Sequence, residues 1–380
     1  MIRKFTRFIR SNLKKECLVT HVDFNPVIRQ RRVLICYLDY TYACKCVSFE
    51  ATHTNVYEYF VIIRYFIDAN YIVDLCSCNA NLNYSSIKDY DIIFGFGNAF
   101  FEAARKCPMA KLILYLTENP FYISFQREKE RLEYLYQRRN VKFNMERTGL
   151  FFKKDDEKNV DAIICLGEKK YVEVENKIVE RLYPSGFLNC NFEFKFEKKK
   201  KNVFLILAST GFVHKGYDIL FEVVTKHPEW TIHYCGEGLL RQLKKIKMKK
   251  PQNVVDHGFV DIHSEKFLRI VEETTFVVQP SCSEASSTAL LTAMRHGIIP
   301  ITTRGNGLDE LESYMFLLDD YRIETIETMM IETSQMSIEK LEKLARKDYL
   351  FANKKFTIEN FKNDFFNCMD NVVDRLDRRI

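Results

Sequence analysis

No apolar run in this 380-residue chain approaches the ~20 residues that span a bilayer, so a helical membrane span is not expected. The 12 cysteines include no CxxC pair. Cys44-Lys45-Cys46 and Cys76-Ser77-Cys78 lack nearby histidine partners, so buried or incidental thiols are expected rather than metal ligands, and no metal site is assigned. Without a secretory signal or a paired framework, these thiols point to a reducing, cytoplasmic compartment. Gly236-Glu237-Gly238 lacks the rest of the dinucleotide fingerprint, so NAD binding is not expected. Nor does any Ser-His-Asp or metal-ligand constellation stand out. A strongly basic stripe is missing too: net charge is only +6 and the pI about 8.6. That balance suits phosphorylated sugars or anionic lipid better than nucleic acid.

What the chain does have is 47% hydrophobic residues, enough to exclude global disorder, and a length that suits two domains better than one core. Residues 1–15 put Ile2, Phe5, Ile9 and Leu13 on one helical side among six basic residues. Two readings stay open for them: contact with an anionic membrane surface, or a terminal helix docked on its own domain. Arg32 to Leu38 is a continuous apolar strand. A long loop from Asp39 to Thr54 follows, and then Asn55 and Glu58 pair as a capping box for a helix. Strands at Tyr71–Leu75, Asp91–Gly95, Lys111–Leu116 and Ala162–Leu166 alternate with helices, including one from Gln126 to Arg139. This alternation predicts a doubly wound parallel sheet with ligands at the carboxyl ends of its strands. Leu182 to Phe187 is a break, and the lysine run 195–201 is expected to be a solvated linker.

The second half repeats the pattern, with strands at Val203–Ala208, Thr231–Tyr234, Val254–His257, Thr275–Val278 and Ile298–Ile301. In Val278 to Pro300, Pro280 ends a strand, and Ser281 and Ser283 offer caps for a helix beginning near Glu284 that Gly297 closes. A helix start with one carboxylate and several hydroxyl residues can set backbone N–H groups against phosphate and a carboxylate against a sugar. Helices are expected at 215–226, 238–247, 324–331, 337–349 and 357–376, with a short strand at 314–317.

Pro184-Ser185-Gly186, Ser209 to Gly216 (Ser-Thr-Gly-Phe-Val-His-Lys-Gly), Tyr234 to Gly238, His257 to Val260, and Ser283-Glu284 through Pro300 stand in an order that resembles the group 1 glycosyltransferases, also called glycosyltransferase family 4. The resemblance covers residues 184 to 300. It implies an α/β GT-B fold: two Rossmann-like doubly wound domains facing across a cleft, with a C-terminal helix crossing back to the first. The expected division is 1–188 on the acceptor side, 189–350 on the donor side and 351–380 as the returning helix. It further implies retaining transfer of a sugar from a UDP- or GDP-sugar to a glycan or lipid-linked acceptor, in surface polysaccharide or glycolipid synthesis. No separate cofactor is needed, and the protein would be cytoplasmic or peripheral on the inner face of the membrane.

Residue by residue, the resemblance sets Lys215, beside Gly211, on the donor diphosphate and Glu284 on the transferred sugar. Both stand as the catalytic pair. Backbone amides at Ser286, Ser287 and Thr288 would meet sugar and phosphate, and the loop through Gly258 and Val260 the nucleobase. Each has a plainer reading: Lys215 as a solvated first-turn lysine, Glu284 as a helix cap, and the hydroxyls as ordinary first-turn residues. His53 and Glu118 are acceptor-side candidates at strand ends or helix starts. The family's second glutamate, eight residues after the first, is Thr292 here, and the basic residue six before the lysine is Ser209. The loss of each charge-assisted hydrogen bond, worth ~1.5–3 kcal/mol, leaves a second reading open: a non-catalytic relative acting as a binding or scaffold protein. The metal-binding DxD signature of the other major glycosyltransferase fold has no convincing match, which agrees with metal-independent transfer.

Overall fold

A computed structural model describes residues 16–17, 20–22, 31–48, 53–82, 87–172, 174–207 and 210–378. The segment 1–15 and Ser209 lie outside the described residues.

Strands β1 (Glu16–Cys17), β2 (Thr20–Val22), β3 (Arg31–Tyr37), β4 (Tyr71–Ser77), β5 (Asn81–Leu82), β6 (Ile92–Gly95), β7 (Lys111–Leu116), β8 (Ala162–Cys165) and β9 (Ile178–Arg181) belong to the first half. β10 (Lys200–Leu207), β11 (Thr231–Cys235), β12 (Val254–Gly258), β13 (Thr274–Gln279), β14 (Ile299–Thr303) and β15 (Phe316–Leu318) belong to the second. Two main sheets form. The first runs β2-β4-β3-β6-β7-β8-β9 and the second β12-β11-β10-β13-β14-β15. Every pairing in them is parallel except β2 with β4. Central strands such as β3 (Val33 to Cys36 wholly buried) and β13 are covered on both faces. This is why they read as unbroken apolar runs instead of alternating ones.

Helices α1 (Tyr40–Ser48), α2 (Thr54–Asp68), α3 (Gly97–Lys106) and α4 (Phe121–Arg139) come from the first half. α5 (Tyr217–Thr225), α6 (Leu239–Lys245), α7 (Glu265–Glu273), α8 (Thr288–Arg295), α9 (Ile323–Gln335), α10 (Ile338–Lys355) and α11 (Ile358–Asp377) follow. The long loop expected at 39–54 is largely helix: the Asp39 carboxylate accepts the Tyr42 amide at 2.8 Å and starts α1. α11 begins at an N-cap, Thr357, whose hydroxyl accepts the Asn360 amide. It then returns to the first half, where Phe361, Phe365, Met369, Val372 and Leu376 join the core of the first sheet. Tyr65 of α2 donates to Asp370 at 2.9 Å, and Arg375 pairs with Glu180 of β9. The expected fold, with its returning helix, is therefore the one observed.

A second strap runs the other way. α4 leaves β7 of the first sheet, yet Leu135 sits in the core of the second. Arg131 and Arg138 pair with Asp218 of α5 there, and Arg139 with Glu222. Tyr134 accepts the Ile323 amide at the head of α9.

Two local expectations are corrected. Asn55 and Glu58 form no capping box. α2 starts at Thr54, and Glu58, wholly buried, accepts the Ser185 amide and hydroxyl at 2.7 Å each. The lysine run is not uniformly solvated. Lys199 is buried and donates to the carbonyls of Val271 and Thr274, burial pulling its pKa down to about 7, while Lys198 and Lys200 pair with Glu272 and Glu273 on the surface.

Glu58 gives a test of the link between α2 and the 184–186 segment. Burial pushes its carboxyl up to about 7 against the opposing pull of Ser185. Between the unfolded value of 4.5 and about 7, the native chain holds the extra proton, so stability falls as pH rises through that window. Glu58→Gln keeps an acceptor for Ser185 and removes the titration. It should melt above wild type at pH 8, match it near pH 4, and flatten the melting temperature between; parallel profiles for the two proteins would refute this.

Candidate active site

The carboxyl ends of both parallel sheets point into one cleft. On the second half, β10 leads to the loop 210–216, β12 to Gly258, and β13 to the loop 280–287. Gly216 has φ +76°, and a Cβ there would lie 2.3 Å from the Pro280 carbonyl oxygen. Only glycine therefore lets the β10 loop approach the β13 loop so closely. The approach sets Lys215 against Glu284, both largely buried, and the two form an ion pair. Lys215 precedes α5 and does not lie in its first turn, so the solvated first-turn reading is not the observed one. Burial works against the Glu284 carboxylate, but Lys215, Arg147 and His214 outweigh it and hold its pKa at about 2.

The helix after this loop starts later than expected. Its N-cap is Ser287 and its first residue Thr288, since Ser286 takes a left-handed φ of +51°. Asn306 replaces a local cap: its side-chain oxygen accepts the Glu284 amide at 2.8 Å, and its amide donates to Ser281. The Ser286 hydroxyl donates to Gly307 and to Leu166 of the first half. Ser287 donates to Gln279, and Thr288 stands half-buried at the helix start.

The first half closes over this arrangement. Glu118, Asn119, Ser124, Arg147 and Thr148 line one pocket with His214, Ser283 and Glu284. Its volume of about 10 Å³ is room for barely one water, so a larger ligand needs the halves to part. Arg147 pairs with Glu118 at 2.6 Å. Glu128 of α4 accepts the amides of Glu146, Arg147 and Thr148 and lies 3.3 Å from His214 Nδ1. Burial would raise the Glu128 pKa, but His214 and these amides bring it to about 2. Burial disfavours the His214 imidazolium, yet the Cys282 sulfur and Glu128 more than offset it and hold its pKa well above the usual value. His214 Nε2 then donates to the Ser283 carbonyl. Asn119 donates to Ser283 and Gly305, and Ser124 packs its hydroxyl 3.1 Å from that of Ser283.

The structure thus brings together Lys215, Glu284, Glu118 and the Ser286 to Thr288 start. Gly211, with φ +95°, lies against Arg147, and its carbonyl accepts the Lys215 amide. Gly258 ends β12 and Val260 follows it, three strands from β13 and so roughly 14 Å away at ~4.8 Å per strand, on the same edge of the sheet. His53 does not line the pocket. It precedes α2, and its side chain makes no cap hydrogen bond. Thr292 does not line that pocket, and its hydroxyl accepts the Phe187 amide at 3.1 Å. Gly186 packs so close that a Cβ would lie 2.7 Å from the Leu291 carbonyl carbon. Arg147, Glu128 and Asn306 are additions that the sequence reading did not single out. Only Asn306, in Gly305-Asn306-Gly307, carried a turn signal that could have revealed it.

Two facing α/β units with a returning terminal helix define a GT-B fold. Residues 190–347 match the family described as glycosyl transferases group 1. The comparison with curated proteins found no match. Among solved structures, Anabaena HepE in complex with UDP-glucose is similar over 90% of this chain and 100% of its own, at 12% identity and TM-score 0.58. WaaG, a glycosyltransferase involved in lipopolysaccharide biosynthesis, is similar over 88% and 98%, at 12% identity and TM-score 0.54. TarM is similar over 75% of this chain and 56% of its own, at 16% identity and TM-score 0.51. At these identities the likeness establishes the fold alone.

Proposed function

We propose that the chain transfers a sugar from a nucleoside diphosphate donor to a glycan or lipid-linked acceptor, with retention of configuration and without a metal ion. The observation that carries this reading is the buried Lys215–Glu284 pair at the carboxyl edge of the second sheet. Lys215 is placed to neutralise the diphosphate as the bond from its oxygen to the anomeric carbon breaks. Glu284 would hold the sugar hydroxyls. The acceptor hydroxyl forms the new bond to that carbon and gives its proton to the departing diphosphate. Gly258 and Val260, farther along the edge, would meet the nucleobase. The neighbouring structure of HepE with UDP-glucose makes UDP the first nucleotide to try. No helix among the described residues is long and apolar enough to cross a membrane. Work on surface polysaccharide or glycolipid at the inner face of a membrane, with residues 1–15 on anionic lipid, completes the proposal.

A second reading, a non-catalytic relative serving as a binding or scaffold protein, draws on Thr292, which is tied to Phe187 and offers no carboxylate to a ribose. Melting the full chain with UDP, GDP and their sugar conjugates separates the two. The transferase reading expects a rise that grows with the logarithm of ligand concentration, and slow release of free diphosphate from one sugar conjugate. No shift with any nucleotide up to millimolar concentration would leave the scaffold reading standing.

A further inference from the structure

The Lys215–Glu284 pocket holds a guanidinium that no motif accounts for. Resting on the transferase reading, we propose that Arg147, supplied by the first half, is the second cation on the donor diphosphate and takes over from the basic residue that Ser209 replaces. Four observations converge on it. The Arg147 stem packs against Gly211 of the phosphate-side loop: a Cβ on Gly211 would lie 3.3 Å from Arg147 Cγ and 3.5 Å from Cδ. Its side chain lines the same pocket as Glu284 and His214. The 146–147 segment is tied to both halves, since Glu128 accepts the Arg147 amide while the Glu146 side chain accepts the amides of Val213 and His214. The Arg147 charge is held by carboxylates, burial being outweighed by Glu284 and Glu118.

The last point indicates what a ligand does here. Arg147, Lys215 and His214 face three carboxylates, Glu118, Glu128 and Glu284. A diphosphate arriving among them competes with Glu118 and Glu284 for Arg147 and Lys215. Arg147 can present two parallel N–H groups to one phosphate, a geometry lysine cannot reproduce. Glu284, released from Lys215, is then free to accept sugar hydroxyls. Because Arg147 and Lys215 come from opposite halves, the diphosphate also bridges the cleft, and cleft closure and donor binding become one event. Glu118, rather than serving an acceptor, is the resident counter-charge that keeps Arg147 in place in the empty site.

Titration calorimetry of the full chain with UDP, UMP and uridine tests this. Arg147→Gln removes a charged donor and should weaken UDP binding about 10- to 100-fold, weaken UMP less, and leave uridine unchanged. Arg147→Lys should recover only part of the loss. Glu118→Gln, by freeing Arg147, should tighten UDP several-fold, an outcome that a purely structural Arg147–Glu118 pair does not produce. Wild-type UDP affinity and UDP/UMP preference in folded Arg147→Gln would overturn the assignment, as would weaker UDP binding by Glu118→Gln. If the wild type binds neither UDP nor GDP, the transferase reading itself falls, and the two failures are told apart by that control.

Discussion

Lys215→Ala abolishes the nucleotide-dependent rise in melting temperature. At 100 times its dissociation constant a ligand stabilises the native state by about 2.7 kcal/mol, so the wild-type rise is easily measured and its absence is unambiguous. The substitution also has a cost without ligand. Lys215 is the largest stabilising influence on a buried carboxylate, and breaking a buried pair by removing one partner costs about 3–5 kcal/mol. Arg147 and His214 remain near Glu284 and place the expected loss at the lower end of that range. The pH dependence identifies the source. Glu284 titrates near 2 when folded and 4.5 when unfolded, so its stabilising contribution is complete above 4.5 and disappears as pH falls toward 2. The gap in melting temperature between wild type and Lys215→Ala should therefore narrow below pH 4.5. A variant that keeps the wild-type response to UDP or GDP would remove Lys215 from the donor site, whatever its intrinsic stability.

Much of the architecture was legible because buried parallel strands announce themselves as short apolar runs. β3, β7 and β13 fall within a residue or so of where Arg32–Leu38, Lys111–Leu116 and Thr275–Val278 place them. The ordered motifs set Lys215 and Glu284 in one donor site although 69 residues separate the two, but their direct ion pair was not legible in them. What escaped was decided by partners distant in sequence. Glu284 resembles a helix cap locally, but Asn306 takes its amide and α8 begins at Thr288. Glu58 has capping-box spacing, but Ser185 from the connecting segment captures its carboxylate. Thr292 stands where the resemblance expects a glutamate; in the structure its hydroxyl accepts the Phe187 amide and its helix packs closely on Gly186. Nothing local in the α4 sequence says that Arg131 and Arg138 serve the opposite half.

Asp218→Asn should destabilise the whole chain by about 3–5 kcal/mol, more than any change made on an exposed ion pair, whose usual worth is below about 1 kcal/mol. Asp218 and Arg131 are wholly buried, and Arg138 reaches the other Asp218 oxygen at 2.6 Å. Neutralising the aspartate strands the buried Arg131 guanidinium, with Glu222 left to serve Arg138 and Arg139. Asp218 also lies in the first turn of α5, where a carboxylate is favoured by the helix dipole. The effect should extend beyond stability. α4 carries Ser124 against Ser283, Arg127 against the Gly305 carbonyl and Glu128 against His214. Loosening its far end should free the near end from the pocket, although Asp218 does not line that pocket. Denaturant titration should report the lost stability, limited proteolysis should cut the 140–150 loop sooner, and UDP affinity should fall in the same variant. Unchanged UDP affinity in a destabilised Asp218→Asn protein would show that α4 fastens the two halves without shaping the site between them.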